Sequence, residues 1–184
     1  MLFRSGHAIA ALKVGEFDNI KKVSIVARAN GAGGVTVFEP TMERVDYHMY
    51  TKEYLKSQLV VALGGRVAEQ LKFGDSQITT GASSDLQKVA ELARKMVVDF
   101  GFSDDWRLGN VAWRSGSALQ EHGGGYSEQT AHMIDEEIRQ LVDEAYERTR
   151  QILRNNMDQL DKLTDALIEN EVLSGEEIET LLEL

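Results

Sequence analysis

Cysteine is absent from this 184-residue chain. That excludes disulfide frameworks, thiolate metal sites and cysteine nucleophiles together, so any metal here must be held by histidine and carboxylate. Positive charge is scarce: 20 Lys and Arg stand against 30 Asp and Glu, for a formal net charge of -10. The basic residues are scattered rather than clustered, which argues against nucleic acid or an anionic membrane surface as a partner. No apolar run approaches the roughly 20 residues that span a bilayer. The stretch Ala8 to Val14 is too short for a signal peptide, so these residues read as a soluble chain. Nor is there a G-x-x-x-x-G-K-[ST] loop, so nothing here grips nucleotide phosphates. The length suits a single domain whose core requires neither metal nor disulfide.

What is present reads as mainly α with a small β-sheet. Helix formers run to Val14 and stop at Gly15, with no N-cap ahead of them, as though the helix had been cut into. "IKKVSIVARA" alternates, with Val23, Ile25 and Ala27 on one side, and reads as a strand. "VTVFEP" gives a second, closed by Pro40, the only proline, which suits a strand end or sheet edge. Thr51 can cap a helix from Lys52 to Leu71, and Gly64-Gly65 inside it suggests close backbone approach, since each costs roughly 1 kcal/mol relative to alanine. Ser84 and Gln87 form a capping box for a helix to Phe100, with Leu86, Val89, Ala93, Met96, Val97 and Phe100 on its face. "LGNVAW" reads as a short strand and "RSGSALQEHGGGY" as a loop with a flexible tip. Ser127 opens the longest helix, striped by Ile134, Ile138, Leu141, Val142, Ala145 and Ile152. A helix over 157–170 and a short one capped by Ser174 and Glu177 complete the chain. The expected organisation is one domain over 1–184, with a core and small sheet in 1–113 and a helical part in 127–184.

Individually, the polar candidates have ordinary explanations. His7 can be one more helix histidine, Asp85 a first-turn carboxylate favoured by the helix dipole, and Glu69 a solvated acid. His48, His122 and His132 share no spacing that suggests a site. In order and spacing, however, "SGHAIAAL", "VSIVAR", "GGVTVFEP", "ALGGRVAEQLKFGDSQITTGASSDLQKVAELARKMV" and "GFSD" resemble the peptidase domain of the FtsH family. These are membrane-anchored, ATP-dependent zinc metalloproteases. The similarity continues through "IDEEIRQLVDEAYERTRQIL" to the last helix, with Leu63 to Met96 its most specific part.

The resemblance implies an FtsH-type fold with a C-terminal helical bundle, and roles for particular residues. His7 is similar to the second histidine of H-E-x-x-H, and Asp85 to the carboxylate that completes the metal triad. Glu69 is similar to an acid that supports the site from outside the ligand set. Gly34, Val35, Thr36, Val37 and Phe38 resemble the edge strand where an extended substrate pairs. The implied cofactor is Zn2+, with ATP used only through a module outside these residues. The implied partners are protein substrates and ATPase-bearing subunits of a homo- or hetero-hexamer, at a thylakoid, mitochondrial inner or bacterial inner membrane. The chemistry agrees: histidines at i and i+4 share a helix face, and catalytic zinc takes three protein ligands and a water.

The start of the chain departs from that pattern. Phe3 stands at the first-histidine position and Arg4 at that of the general-base glutamate. Structural zinc gains roughly 10 to 16 kcal/mol over four ligands, so one lost ligand costs on the order of 3 kcal/mol. A cation about 5 Å from a divalent ion repels it by about 6 to 7 kcal/mol at an effective dielectric of about 20. Loss of the base removes a further factor of about 100 to 10,000 in rate. An inactive chain is expected as written. Two readings stand: a pseudoprotease subunit kept for its place in a ring, or an active parent whose start is truncated or misassembled here, the latter favoured by the retention of Asp85.

Overall fold

The computed structural model describes residues 2–27, 33–40, 49–113 and 126–184. Among the described residues six α-helices and three strands follow one another: α1 (Leu2–Lys13), β1 (Asn19–Ala27), β2 (Gly33–Glu39), α2 (Lys52–Phe73), α3 (Ser83–Val98), α4 (Glu128–Asn155), α5 (Met157–Asn170), β3 (Val172–Ser174) and α6 (Gly175–Leu182). The fold is mainly α with a small antiparallel sheet in the order β2-β1-β3. None of the described helices is long and apolar enough to cross a membrane.

Helix α2 is the hub, packing against α1, α3 and α4. Thr51 caps it by accepting a hydrogen bond from the Tyr54 amide at 3.1 Å. Its glycine pair lets α1 cross at backbone contact. A Cβ on Gly6 would lie 2.3 Å from the Gly64 carbonyl oxygen, and one on Gly64 would lie 2.6 Å from that of Gly6. Beside the crossing, the Phe3 ring lies where a Cβ on Gly65 would stand. The helix-propensity cost of two mid-helix glycines is thus offset by burial of Ala8, Ile9, Leu59, Val60 and Val67 at this interface.

In the sheet, Ile20 and Val23 both turn inward although three residues apart, and the ladder slips between Ile20 and Lys22 to allow it. The simple alternation read from the sequence therefore fails at its end: Ala27 is exposed. The three-residue strand β3, not foreseen, closes the other side of β1, and the Ile25 amide adds a hydrogen bond to the Glu171 carbonyl at 2.9 Å. A capping box of Ser174 and Glu177 then opens α6 as expected.

Several expectations around α3 need correction. The capping box of Ser84 and Gln87 does not form: the helix begins at Ser83, reached through a tight turn over Thr80–Ala82, and the Ser83 hydroxyl donates to the Thr80 carbonyl at 2.6 Å. Leu86 and Phe100 are exposed rather than part of the packing face, and the helix ends at Val98. "LGNVAW" forms no strand; Leu108 and Gly109 donate to the Asp105 carbonyl in a turn, and the Trp113 amide donates to Val98. In the long helix α4, Ile134, Leu141 and Ala145 are buried, joined by Leu153 and a buried Thr149 that donates to the Val60 carbonyl. The "NGAGG" turn and most of the "RSGSALQEHGGGY" loop lie outside the described residues, as do His48 and His122. His132 is exposed beside Glu136.

Candidate functional site

The site grows from α1. His7 projects from the face that packs on α2, and its Nδ1–H donates to the Val61 carbonyl at 2.7 Å. A carbonyl only accepts, so a proton sits on Nδ1, and Nε2 is the ring atom that faces the cleft. That atom is buried and makes no hydrogen bond. It faces Asp85 Oδ2 at 3.4 Å, outside hydrogen-bond geometry. The two groups, 78 positions apart in sequence, are 6% and 9% exposed. Two buried acceptors facing each other need a cation or a proton between them.

Asp85 sits in the first turn of α3, where the helix dipole favours an anion. Its Oδ1 accepts from Lys88 at 3.1 Å, one helical turn on. Burial pushes the Asp85 carboxyl up, but His7 and Lys88 beside it outweigh that and hold it below the usual carboxylate range. Lys88 was not singled out from the sequence, although its i+3 spacing from Asp85 is legible there.

Glu69 does not touch His7. It accepts from the Thr79 amide at 3.2 Å and from the Thr79 hydroxyl at 3.1 Å, and Thr79 in turn accepts from Gly81 at 3.2 Å. The acid on α2 thereby ties down the turn that delivers Asp85 into the site. Thr79 is a second such residue, marked by no motif or spacing in the sequence.

Phe3 and Arg4 complete the near wall. Phe3 lies one turn before His7 on the same face, its ring edge-to-face with the imidazole at 4.8 Å between centroids. Position 3 therefore borders the gap where another donor would be needed, and it offers carbon. The guanidinium of Arg4 packs 5.4 Å from the Phe3 ring centroid. Burial lowers the Arg4 pKa, and the Asp85 charge raises it in part. The side chain is thus turned into the site rather than away into water.

His7, Asp85 and Arg4 open onto a cavity of about 470 Å³, within the range of ligand pockets. Val35, Thr36 and Phe38 of β2 line its other side, and the Thr36 hydroxyl donates to the Arg4 carbonyl at 3.5 Å. Among the described residues β2 pairs only with β1, so its outer edge keeps free backbone donors and acceptors.

The donor set can be tested against zinc directly. Two ligands about 2.0 to 2.1 Å from a tetrahedral ion lie about 3.3 to 3.4 Å apart. The His7–Asp85 separation matches one edge of such a tetrahedron. The remaining corners are not supplied: among the described residues no three His, Asp or Glu side chains converge, Phe3 has no lone pair, and Arg4 adds a positive charge. These residues do not fit a catalytic zinc centre.

Comparison with known proteins gives a consistent answer. Residues 2–181 match peptidase family M41. The chain is 44% identical over 190 residues to "ATP-dependent zinc metalloprotease FtsH 3" of Synechocystis sp., covering 97% of the chain and 29% of that relative. It is 44% identical over 183 residues to "ATP-dependent zinc metalloprotease FTSH, chloroplastic" of Medicago sativa, covering 96% of the chain and 25% of the relative. For "ATP-dependent zinc metalloprotease FTSH 5, chloroplastic" of Arabidopsis thaliana the identity is 42% over 183 residues, covering 96% and 26%. The chain therefore spans between a quarter and a third of the length of the curated relatives it matches.

Proposed function

Because the chain belongs to peptidase family M41, the family of the FtsH zinc metalloproteases, we propose that it is an FtsH-type peptidase domain that receives extended polypeptide beside β2 but does not hydrolyse it. The observation that carries this reading is the packing of Phe3 and Arg4 against the His7–Asp85 pair. They fill the positions from which a third ligand and a general base would act, and both are half-buried there. In this reading the domain is a silent subunit of an oligomeric protease ring, homo- or hetero-hexameric. Protein substrates and ATP-driven delivery come through ATPase modules outside these residues. The relatives' chloroplast and cyanobacterial origins support a membrane-associated parent.

The retained spacing of His7 and Asp85 favours a second reading, an active peptidase in which positions 3 and 4 carry histidine and glutamate. Zinc titration and casein cleavage, run on the chain as written and on Phe3→His/Arg4→Glu, test the first reading. The first reading expects no zinc-dependent cleavage by the unaltered chain and tight zinc binding only by the double variant. Chelator-sensitive cleavage by the unaltered chain overturns it.

A further inference from the structure

Arg4 is half-buried, yet among the described residues its guanidinium donates no hydrogen bond and forms no ion pair; its one close contact is the Phe3 ring. A guanidinium carries five N–H donors in a fixed fork. In the open cleft water serves these donors, and a ligand that displaces that water must bring acceptors of its own. The neighbouring carboxylate is already engaged: Asp85 holds Lys88 through Oδ1 and faces His7 through Oδ2. The fork is therefore left for an acceptor from outside the chain, in the same cavity that β2 lines with its unpaired edge.

The surroundings select the chemistry of that acceptor. The cavity lining holds three cations, Arg4, Lys88 and Lys95, against two carboxylates, in a chain whose formal net charge is -10. Half-buried Val35 and Phe38 offer apolar contacts along the strand. Planar, paired oxygens suit a guanidinium fork better than any single acceptor. An extended backbone suits the strand edge.

We propose that this cleft is a peptide-carboxylate site, in which an extended peptide adds to the outer edge of β2 and its carboxylate is clamped by Arg4. The residue that excludes hydrolysis would then be the one that confers selectivity. The inference rests on the reading of β2 as the edge that receives polypeptide. The carboxylate can be a chain terminus or an Asp or Glu side chain, which present the same oxygens.

Fluorescence anisotropy tests it with three short fluorescein-labelled peptides of Ala, Val and Thr: one ending in a free carboxylate, its C-terminal amide, and an amide with one internal Glu. At least one carboxylate-bearing peptide should bind about tenfold or more tighter than the plain amide. Preference for the free acid alone identifies a chain terminus, and equal preference for the Glu peptide identifies a side chain. Arg4→Gln should erase the difference between the acid and amide peptides, and Arg4→Lys should keep part of it. Equal binding of all three peptides to the unaltered chain overturns the clamp and leaves the polypeptide cleft standing; this comparison needs no variant to fold. Binding of none overturns both.

Discussion

The two walls of the cleft have diverged to different degrees. The far wall, α3 with the turn that leads to it, presents a carboxylate: Asp85 in a helix first turn, Lys88 beside it, and Thr79 anchored by Glu69. The near wall, the first two turns of α1, keeps His7 but surrounds it with an aromatic ring and a guanidinium. Both walls rest on α2, through the Gly6–Gly64 crossing on one side and the Glu69–Thr79 bonds on the other. The difference teaches that both walls are held by packing on α2, whatever side chains stand at the gap. A ligand can therefore be lost without the remaining pair drifting apart.

The comparison breaks most completely where the frame is shared. Gly64→Val places side-chain carbon against the Gly6 backbone, which has no rotamer by which to yield. Urea unfolding should show a loss of about 4 kcal/mol or more. On the near wall, Phe3→His alone should raise zinc affinity by about a hundredfold, and adding Arg4→Glu should raise it further. Competition with a chromophoric chelator reads both steps. If the single change does as well as the pair, Arg4 is not felt at the gap.

On the far wall, Glu69→Ala in that repaired double variant should weaken zinc binding by about tenfold and cost about 1 to 2 kcal/mol of stability. Its circular dichroism spectrum should not change. The smallest effect is expected outside both walls, at Asp104. A hydrogen bond from Lys52 holds its carboxyl below the usual range, against a small opposing effect of burial, with Lys52 and Lys56 adding charge. The stabilisation is complete above the unfolded pKa of about 4 and fades as pH falls through the lower folded value. Because Asp104 is largely exposed, Asp104→Asn should cost less than about 1 kcal/mol at neutral pH, with the difference vanishing in acid.

Most of the helices were legible in the sequence because their signals are local. Thr51, Ser127 and Ser174 each accept the backbone hydrogen bond that their spacing announces. The glycine pair in α2 announced a close approach, and the partner proved to be Gly6. Reading failed where tertiary contacts decide. Ser84 and Gln87 satisfy the capping pattern, but the turn anchored by Glu69 starts the helix at Ser83, two residues earlier than a Ser84 cap would. Strand β3 is three residues long and exists only because β1 has a free side for it. At the site, the family resemblance pointed to His7 and Asp85, while the Val61 carbonyl that accepts from the histidine lies on another helix and leaves no trace in a side-chain pattern.

The sheet has unequal rims. On one side β3 offers only three residues, too brief to seed a further strand, while on the other the seven residues of β2 have no second partner among the described residues. Growth from this sheet is consequently one-sided: a single guest strand completes it, and stacking into longer ribbons has no second flank from which to continue.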